Sequence, residues 1–146
     1  MMKPNVRFEI QIAQVPVIKA QPHQIRNAKD AYPILQHIAN QHEENMVVIS
    51  LNTEGYVINS RIVAIGANHT GLTWIPTIFR GAISDGADAI IVAHNHPNGT
   101  VWPSKLDNKL YGILDKACTL LELEFYDFII VSGEHLYAYS ADKMVM

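Results

Sequence analysis

The sequence predicts a mixed α/β or α+β domain in which helices pack against a central sheet. Segments with the period-2 hydrophobic alternation of strands are interspersed with segments of helical period, in the order β, α, β, β, α, β, α, β, β. Of the 146 residues, 49 % are hydrophobic, which supplies enough apolar surface for one sizeable core. No repeat, low-complexity tract or linker interrupts the chain. We therefore expect a single domain that covers residues 1–146.

The first half of the chain predicts a strand, a helix and a pair of strands. Residues 6–12 alternate apolar and polar side chains, as a strand with one buried face does. The stretch 27–44 carries apolar residues at helical spacing, and Asn27 is suited to cap that helix. Residues 45–66 predict two strands, joined by a turn of Asn, Thr, Glu and Gly at 52–55.

The second half predicts a short helix, a buried strand, a longer helix and a hairpin. Residues 75–85 are apolar at helical spacing and are followed by Gly86, a residue typical of helix ends. Consecutive apolar residues at 87–94 indicate a strand that is covered on both faces. A longer helix begins after Ser104, and the chain finishes as a hairpin that turns near 132–134.

Composition limits the classes of partner and compartment. The formal charge of −3 and the pI near 6.1 give no basic field, so we expect no tight binding to a nucleic-acid backbone. The single cysteine, Cys118, cannot form an internal disulfide, and no charged-then-apolar leader opens the chain. No apolar run approaches the roughly 20 residues needed to cross a bilayer. These features predict a cytoplasmic protein outside the membrane.

The segment IIVAHNHPNGTVWPSKLD, residues 90–107, has the residue types and spacing of a catalytic metal site. On an extended chain, residues i and i+2 project from the same face, so His94 and His96 can present two imidazoles to one ion. Asp107 adds a carboxylate from the first turn of the next helix. Two histidines and one carboxylate leave a fourth tetrahedral position open, which is the catalytic rather than the structural zinc arrangement.

A purely structural interpretation of the same segment is also available. Ser104 followed three residues later by Asp107 is close to a capping box, and the Pro and Gly residues between 97 and 103 are common in loops. The two interpretations are compatible, because a helix that begins at Ser104 aims Asp107 back toward the histidines.

The stretch HNHPNGTVWPSKLD has the pattern His-x-His-Pro followed by Ser-x-x-Asp, and it resembles the JAMM (MPN+) metalloprotease superfamily. The sequences Pro-Asn-Gly and Pro-Ser make it most similar to the bacterial RadC-like branch, and the likeness covers roughly residues 27–140. The resemblance implies a JAB/MPN-like, cytidine-deaminase-like domain of three layers, with a mixed central sheet flanked by helices. It also connects the chain with the RadC family, which carries a DNA-repair label.

Carried over by position, the resemblance implies one Zn²⁺ held by His94, His96 and Asp107. Ser104 would donate a hydrogen bond to the developing oxyanion. The implied activity is that of a hydrolase, a metal-dependent peptidase or isopeptidase acting on a peptide or protein substrate. The helix-hairpin-helix segment that precedes this domain in many RadC proteins is not recognisable here, so we expect no direct contact with DNA.

The family also requires a glutamate that takes the proton from the attacking water. An ungapped comparison with the corresponding strand places Arg61 at that position. The nearest acid upstream is Glu54, whose seven-residue separation from Arg61 spans more than about 20 Å of extended chain. Two alternatives stay open: Glu54, or an acid brought in by a register shift, could serve as the base, or activity is impaired because Arg61 replaces the expected glutamate. Arg61 either weakens metal binding, points away, or binds an anionic group of the substrate.

Other residues leave further alternatives open. Trp102 lies in the loop between the histidines and Ser104, where an aromatic side chain could cover the metal or contact substrate. We expect Trp74 to pack in the core, and His69 and His135 to be solvated. An edge strand could pair with a second copy, which would give a homodimer. As alternatives to an active zinc enzyme, the protein could be a non-catalytic peptide- or protein-binding module or a DNA-repair accessory protein.

Overall fold

The computed structural model describes residues 22–66 and 75–146. A short 3₁₀ turn, Ala28–Ala31, precedes the first helix. The helices and strands are α1 (Tyr32–Ala39), β1 (Asn45–Leu51), β2 (Val57–Ile65), α2 (Ile75–Ser84), β3 (Ala89–Asn95), α3 (Lys105–Leu120), β4 (Glu124–Ser132), β5 (His135–Ala138) and β6 (Lys143–Met144).

The six strands of residues 22–66 and 75–146 form one mixed sheet in the order β2-β1-β3-β4-β5-β6. Among these six, β3 and β4 run parallel and are joined by the crossover through α3, and the other neighbouring pairs are antiparallel. In the β1–β3 pair, Met46 lies opposite His94, and Leu51 lies opposite Ala89. The start of β1 is therefore beside the end of β3, at the same edge of the sheet.

Each face of the sheet is covered by helix, which confirms the predicted architecture of helices on a mixed sheet. On one face, α1 buries Leu35 and Ile38 against apolar residues of β1, β3 and β4. On the other face, α2 and α3 bury Ile78 and Leu114 against Val92 and Phe128 of the sheet. The central strands β1 and β3 are buried along their whole length, as their continuous apolar composition predicts.

The described elements agree with the sequence pattern, with two refinements. Asn27 caps the 3₁₀ turn and not α1, because its side chain accepts a hydrogen bond from the Lys29 amide. The helix α1 begins at Tyr32, so Pro33 lies in its first turn, where a missing N–H is tolerated. A short strand, β6, follows the hairpin and was not anticipated. The strand expected at 6–12 lies outside the described residues, as do Trp74 and His69. Among the helices of the described ranges, none is long and apolar enough to cross a bilayer.

Candidate metal centre

The end of β3 presents two histidines on the face of the sheet that α2 and α3 cover. His94 is 1 % exposed, and its ring stacks on Phe128 with a centroid distance of 5.4 Å and an interplanar angle of 5°. The ring of His96 lies edge-on to that of His94, at 4.8 Å between centroids. The two imidazoles project from one face because they are two residues apart on an extended strand.

The first turn of α3 brings a carboxylate to these rings. Ser104 is the N-cap of α3, and its Oγ accepts a hydrogen bond from the Asp107 amide while the Asp107 carboxylate accepts one from the Ser104 amide. This capping box fixes the Asp107 side chain. Its Oδ1 lies 3.1 Å from His94 Nε2, and its Oδ2 lies 3.1 Å from His96 Nε2. Within the described ranges, these three side chains form the group whose ligand atoms converge, all within 4.8 Å of one another.

The other ring nitrogen of each histidine is already occupied. His96 Nδ1 lies 3.0 Å from the carbonyl oxygen of Thr100, which can only accept, so Nδ1 carries the hydrogen. His94 Nδ1 lies 2.6 Å from Oε1 of Glu44. Zinc-binding histidines are typically oriented in this way, with one nitrogen held by a carboxylate or carbonyl and the other free for the ion.

The chemistry of the donor set fits a metal ion. His94 Nε2 is buried and, although it lies close to Asp107 Oδ1, makes no hydrogen bond of acceptable geometry in the described structure. A buried polar atom without a partner is costly, and a bound metal ion would satisfy it. Two imidazole nitrogens and one carboxylate are the ligands of a catalytic zinc site with an open position. The residues present therefore fit a zinc ion.

The charges around the cluster favour a cation at this position. Burial of the His94 ring opposes its charged form, but the adjacent carboxylates of Asp107 and Glu44 outweigh burial and raise the pKa of His94 to about 9. Burial acts to raise the pKa of Asp107, yet the adjacent rings of His94 and His96 hold that pKa far below its ordinary value. Both shifts have the same cause, which is that two carboxylates here favour a positive charge at the histidines.

Glu44 is the acidic residue that the sequence pattern did not single out. It immediately precedes β1 and is separated from His94 by 50 residues. Antiparallel pairing of β1 with β3 brings the residue before Asn45 to the end of β3. The available signal was the acidic pair in HEEN, next to a buried strand. Strand order, which local patterns do not encode, was needed to connect that pair with the histidines.

Glu54, in contrast, is remote from the cluster. It lies in the turn after Leu51, and Leu51 pairs with Ala89 at the beginning of β3. His94 is five residues further along β3, which corresponds to about 16 Å. A carboxylate at that distance cannot take a proton from water held at the histidines. The expectation that Glu54 supplies the base is therefore corrected, and the acid at the cluster is Glu44.

Arg61 is accounted for by a separate ion pair. Its Nη2 lies 2.7 Å from Oδ1 of Asp85, just beyond the end of α2, and its guanidinium occupies the space left by the missing side chain of Gly81. Arg61 of β2 pairs with Val48 of β1, and Val48 pairs with Val92 of β3. The backbone of Arg61 is therefore two strand spacings, about 10 Å, from the backbone of β3. Of the alternatives for Arg61, the structure supports the one in which it points away from the metal centre.

Replacing Arg61 by Met should lower stability without changing the metal centre. We expect the free energy of unfolding in urea at pH 7 to fall by about 1 kcal/mol, and zinc content to stay at the wild-type value. Burial acts to raise the pKa of Asp85, but hydrogen bonds from Arg61 and Ser50 lower it below its ordinary 3.8. The stabilisation is therefore present above that value and is lost as the pH falls below it. A loss of zinc in Arg61→Met would contradict this placement.

Ser104 contacts the cluster through Asp107, whereas the described contacts of Trp102 lie elsewhere. The Ser104 oxygen accepts the amide of Asp107, and its own O–H hydrogen can still be donated. The indole of Trp102 is 60 % exposed and contacts Tyr137 edge-on. His135, at the start of β5, is exposed as expected. The structure thus joins Ser104 to one of the candidate metal ligands and leaves Trp102 largely exposed.

Comparison with known proteins gives one family. The family model described as "RadC-like JAB domain" matches residues 25–144. A UPF0758 protein of Carboxydothermus hydrogenoformans is 42 % identical over 113 residues, which cover 76 % of this chain and 49 % of that protein. A UPF0758 protein of Chlorobium chlorochromatii is 33 % identical over 120 residues, covering 82 % of this chain and 54 % of the relative. The chain thus spans about half the length of these relatives.

Proposed function

Because this chain belongs to the RadC-like JAB domain family, we propose that it binds one zinc ion through His94, His96 and Asp107 and hydrolyses an amide bond in a peptide or protein. The observation that carries the proposal is the convergence of two imidazole Nε2 atoms and one carboxylate, with both Nδ1 atoms already occupied. This donor set leaves a coordination position for a reactant. A zinc ion bound there supplies Lewis-acid polarisation of a carbonyl and activates water.

The side chains around the cluster suit the remaining tasks of amide hydrolysis. The Glu44 carboxylate is part-exposed and adjacent to His94, and we assign to it the acceptance of a proton from the attacking water and the return of that proton to the leaving amine. The free O–H of Ser104 can donate to the oxygen that becomes negative as the carbonyl is attacked. Each role uses a group that the fold already holds in place.

A non-catalytic binding module is the second candidate function. Trp102 is 60 % exposed and Leu106 is 68 % exposed, and both lie on the segment between His96 and the first turn of α3. Exposed aromatic and aliphatic side chains on one short segment are a suitable surface for a peptide. Binding alone would require this surface and the fold, but no carboxylate acting as base. We place either function in the cytosol, in keeping with the single buried Cys118.

Removal of the metal should abolish hydrolysis and its return should restore it. Protein purified without a histidine tag is expected to hold close to one equivalent of zinc, measured by plasma mass spectrometry. Incubated with a peptide library from a digested bacterial proteome, it should generate new termini, detected by mass spectrometry. Treatment with 1,10-phenanthroline should remove zinc and cleavage together, because the ion provides the carbonyl polarisation.

The outcomes separate the two functions. Cleavage that persists when zinc is below a tenth of an equivalent would contradict the metallopeptidase proposal. One equivalent of zinc together with peptide retention and no new termini would favour the binding module. If the protein held no zinc, either as purified or after zinc was added, a zinc site would be excluded for both the peptidase and the binding module.

A further inference from the structure

Asn95 lies between the two histidines but belongs to the opposite face of the sheet. Successive side chains of a strand alternate, so Asn95 points toward the α1 layer while His94 and His96 point toward α3. The Asn95 side chain is 0 % exposed. An amide buried this completely must be satisfied by hydrogen bonds, because an unpaired buried amide is costly.

Among the described residues, the partners of the Asn95 side-chain amide lie in one short segment, the α1–β1 connection (residues 40–44) and the first residue of β1. Its Nδ2 donates to the carbonyl oxygens of Gln41 at 3.3 Å and Glu43 at 3.0 Å. Its Oδ1 accepts from the backbone amide of Asn45 at 2.6 Å. The Asn95 side chain therefore holds residues 41–45 against the end of β3. The pairing of β1 with β3 begins only at Met46, so these side-chain hydrogen bonds take the place of backbone pairing before that residue.

The segment that Asn95 holds is the one that carries Glu44. The Glu44 residue lies between two of the bonded positions, Glu43 and Asn45, and its own carbonyl oxygen accepts from the amide of Gly66 at 2.8 Å. From this backbone position, the side chain reaches across the strand end to His94 Nδ1 at 2.6 Å. A displacement of the backbone by one ångström would lengthen that hydrogen bond beyond its normal range.

We infer that Asn95 is a positioning residue, which fixes the α1–β1 connection so that Glu44 is held against the outer nitrogen of His94. The inference rests on the proposed zinc site, because its functional consequence is the affinity of His94 for the ion. A carboxylate hydrogen-bonded to the far nitrogen of a metal-binding histidine orients the ring and strengthens it as a ligand. Asn95 touches none of the metal ligands with its own side chain and acts through Glu44.

A double-mutant cycle on zinc affinity tests this coupling. Zinc binding is measured by competition with a chromophoric chelator for the wild type, Asn95→Ala, Glu44→Ala and the double variant. We expect Asn95→Ala to weaken binding about tenfold in the wild-type background, and Glu44→Ala to weaken it by a similar factor. In the Glu44→Ala background, Asn95→Ala should change affinity by less than about twofold, because no acceptor remains to be positioned. Equal losses in the two backgrounds, or no loss in the wild type, would overturn the inference.

A matched control separates positioning from general damage at this edge of the sheet. Ser132 is also buried, and its Oγ donates to the carbonyl oxygen of His96 at 2.9 Å. Ser132→Ala should have the same effect on zinc affinity with Glu or Ala at position 44. If Asn95→Ala does not fold, Asn95→Leu replaces it in the cycle, because it keeps nearly the same volume and removes the side-chain hydrogen bonds without adding a charge.

A second measurement uses the metal-free protein, so the positioning role of Asn95 can be tested even if the protein does not bind zinc. In nuclear magnetic resonance spectra, the Nδ1 proton of His94 should exchange slowly with water, because Glu44 accepts it in a part-buried hydrogen bond. The signal should be lost in Asn95→Ala and in Glu44→Ala and should persist in Ser132→Ala. Persistence in Asn95→Ala would overturn the inference. Absence of zinc binding in all variants would reject the proposed function while leaving this result to stand.

Discussion

Replacing Glu44 by Gln is expected to reduce the kcat for peptide hydrolysis by about 10²- to 10⁴-fold, the range over which a positioned general base contributes to catalysis. Gln has the same shape as Glu and can still accept a hydrogen bond from His94 Nδ1, but it cannot take a proton from water at neutral pH. The loss should appear in kcat, with little change in KM, because the substituted group acts on the attacking water and not on the bound peptide.

The measurement requires zinc at saturating concentration, so that weaker metal binding does not contribute to the loss. Glu54→Gln is the matched control, since Glu54 lies beyond the opposite end of β3. It should hydrolyse peptides at the wild-type rate. If Glu44→Gln retained more than about a tenth of the wild-type kcat when fully loaded, the base assignment would be wrong. Glu44 would then act only through the orientation of His94.

Replacing Asp107 by Asn should weaken zinc binding by more than about 100-fold, since changes at residues that merely support a ligand already cost 10- to 100-fold. The substitution removes the charge of the one carboxylate ligand and preserves its shape. The Asn oxygen can still accept the Ser104 amide, so the start of α3 should be retained. Loss of zinc in this variant would therefore report on the ligand and not on an unfolded helix.

Ser104→Ala provides the complementary control for the Asp107 variant. It removes the hydroxyl that caps α3 and should lower the free energy of unfolding by about 1 kcal/mol, while the zinc stoichiometry stays near that of the wild type. A circular dichroism spectrum and a urea titration of both variants separate the two effects. Zinc retained by Asp107→Asn at wild-type affinity would exclude Asp107 from the ligand set.

Sequence patterns predicted the local part of the candidate site and missed the long-range part. His94, His96 and Asp107 lie within one stretch of chain, and their geometry follows from a strand end and a helix start, both of which have clear local patterns. The layered architecture was also predictable, because it follows from the alternation of helical and strand periods. The same reasoning found the hairpin turn at 52–55 and the end of α2.

Glu44 could not be predicted from local sequence patterns, because its proximity to His94 depends on which strands pair and in which register. An ungapped comparison placed Arg61 at the position of the acid, and the pairing of β1 with β2 contains two irregularities that such a comparison ignores. The role of Arg61 was likewise hidden, since Asp85 is 24 residues away along the chain. Long-range pairs of this kind leave no periodic signal in the sequence.

At the end of β3, side chains on both faces of the strand make specific contacts, and this restricts where residues can be inserted or deleted. One face of His94-Asn95-His96 carries the candidate metal ligands, and the other carries the amide that closes the α1–β1 connection. Inserting or deleting a single residue within β3 would turn every following side chain to the other face, so both sets of contacts would be lost together. The loop between His96 and Ser104 carries no such alternation. We therefore expect length changes at this edge to be tolerated only in that loop, away from the Thr100 carbonyl that holds His96.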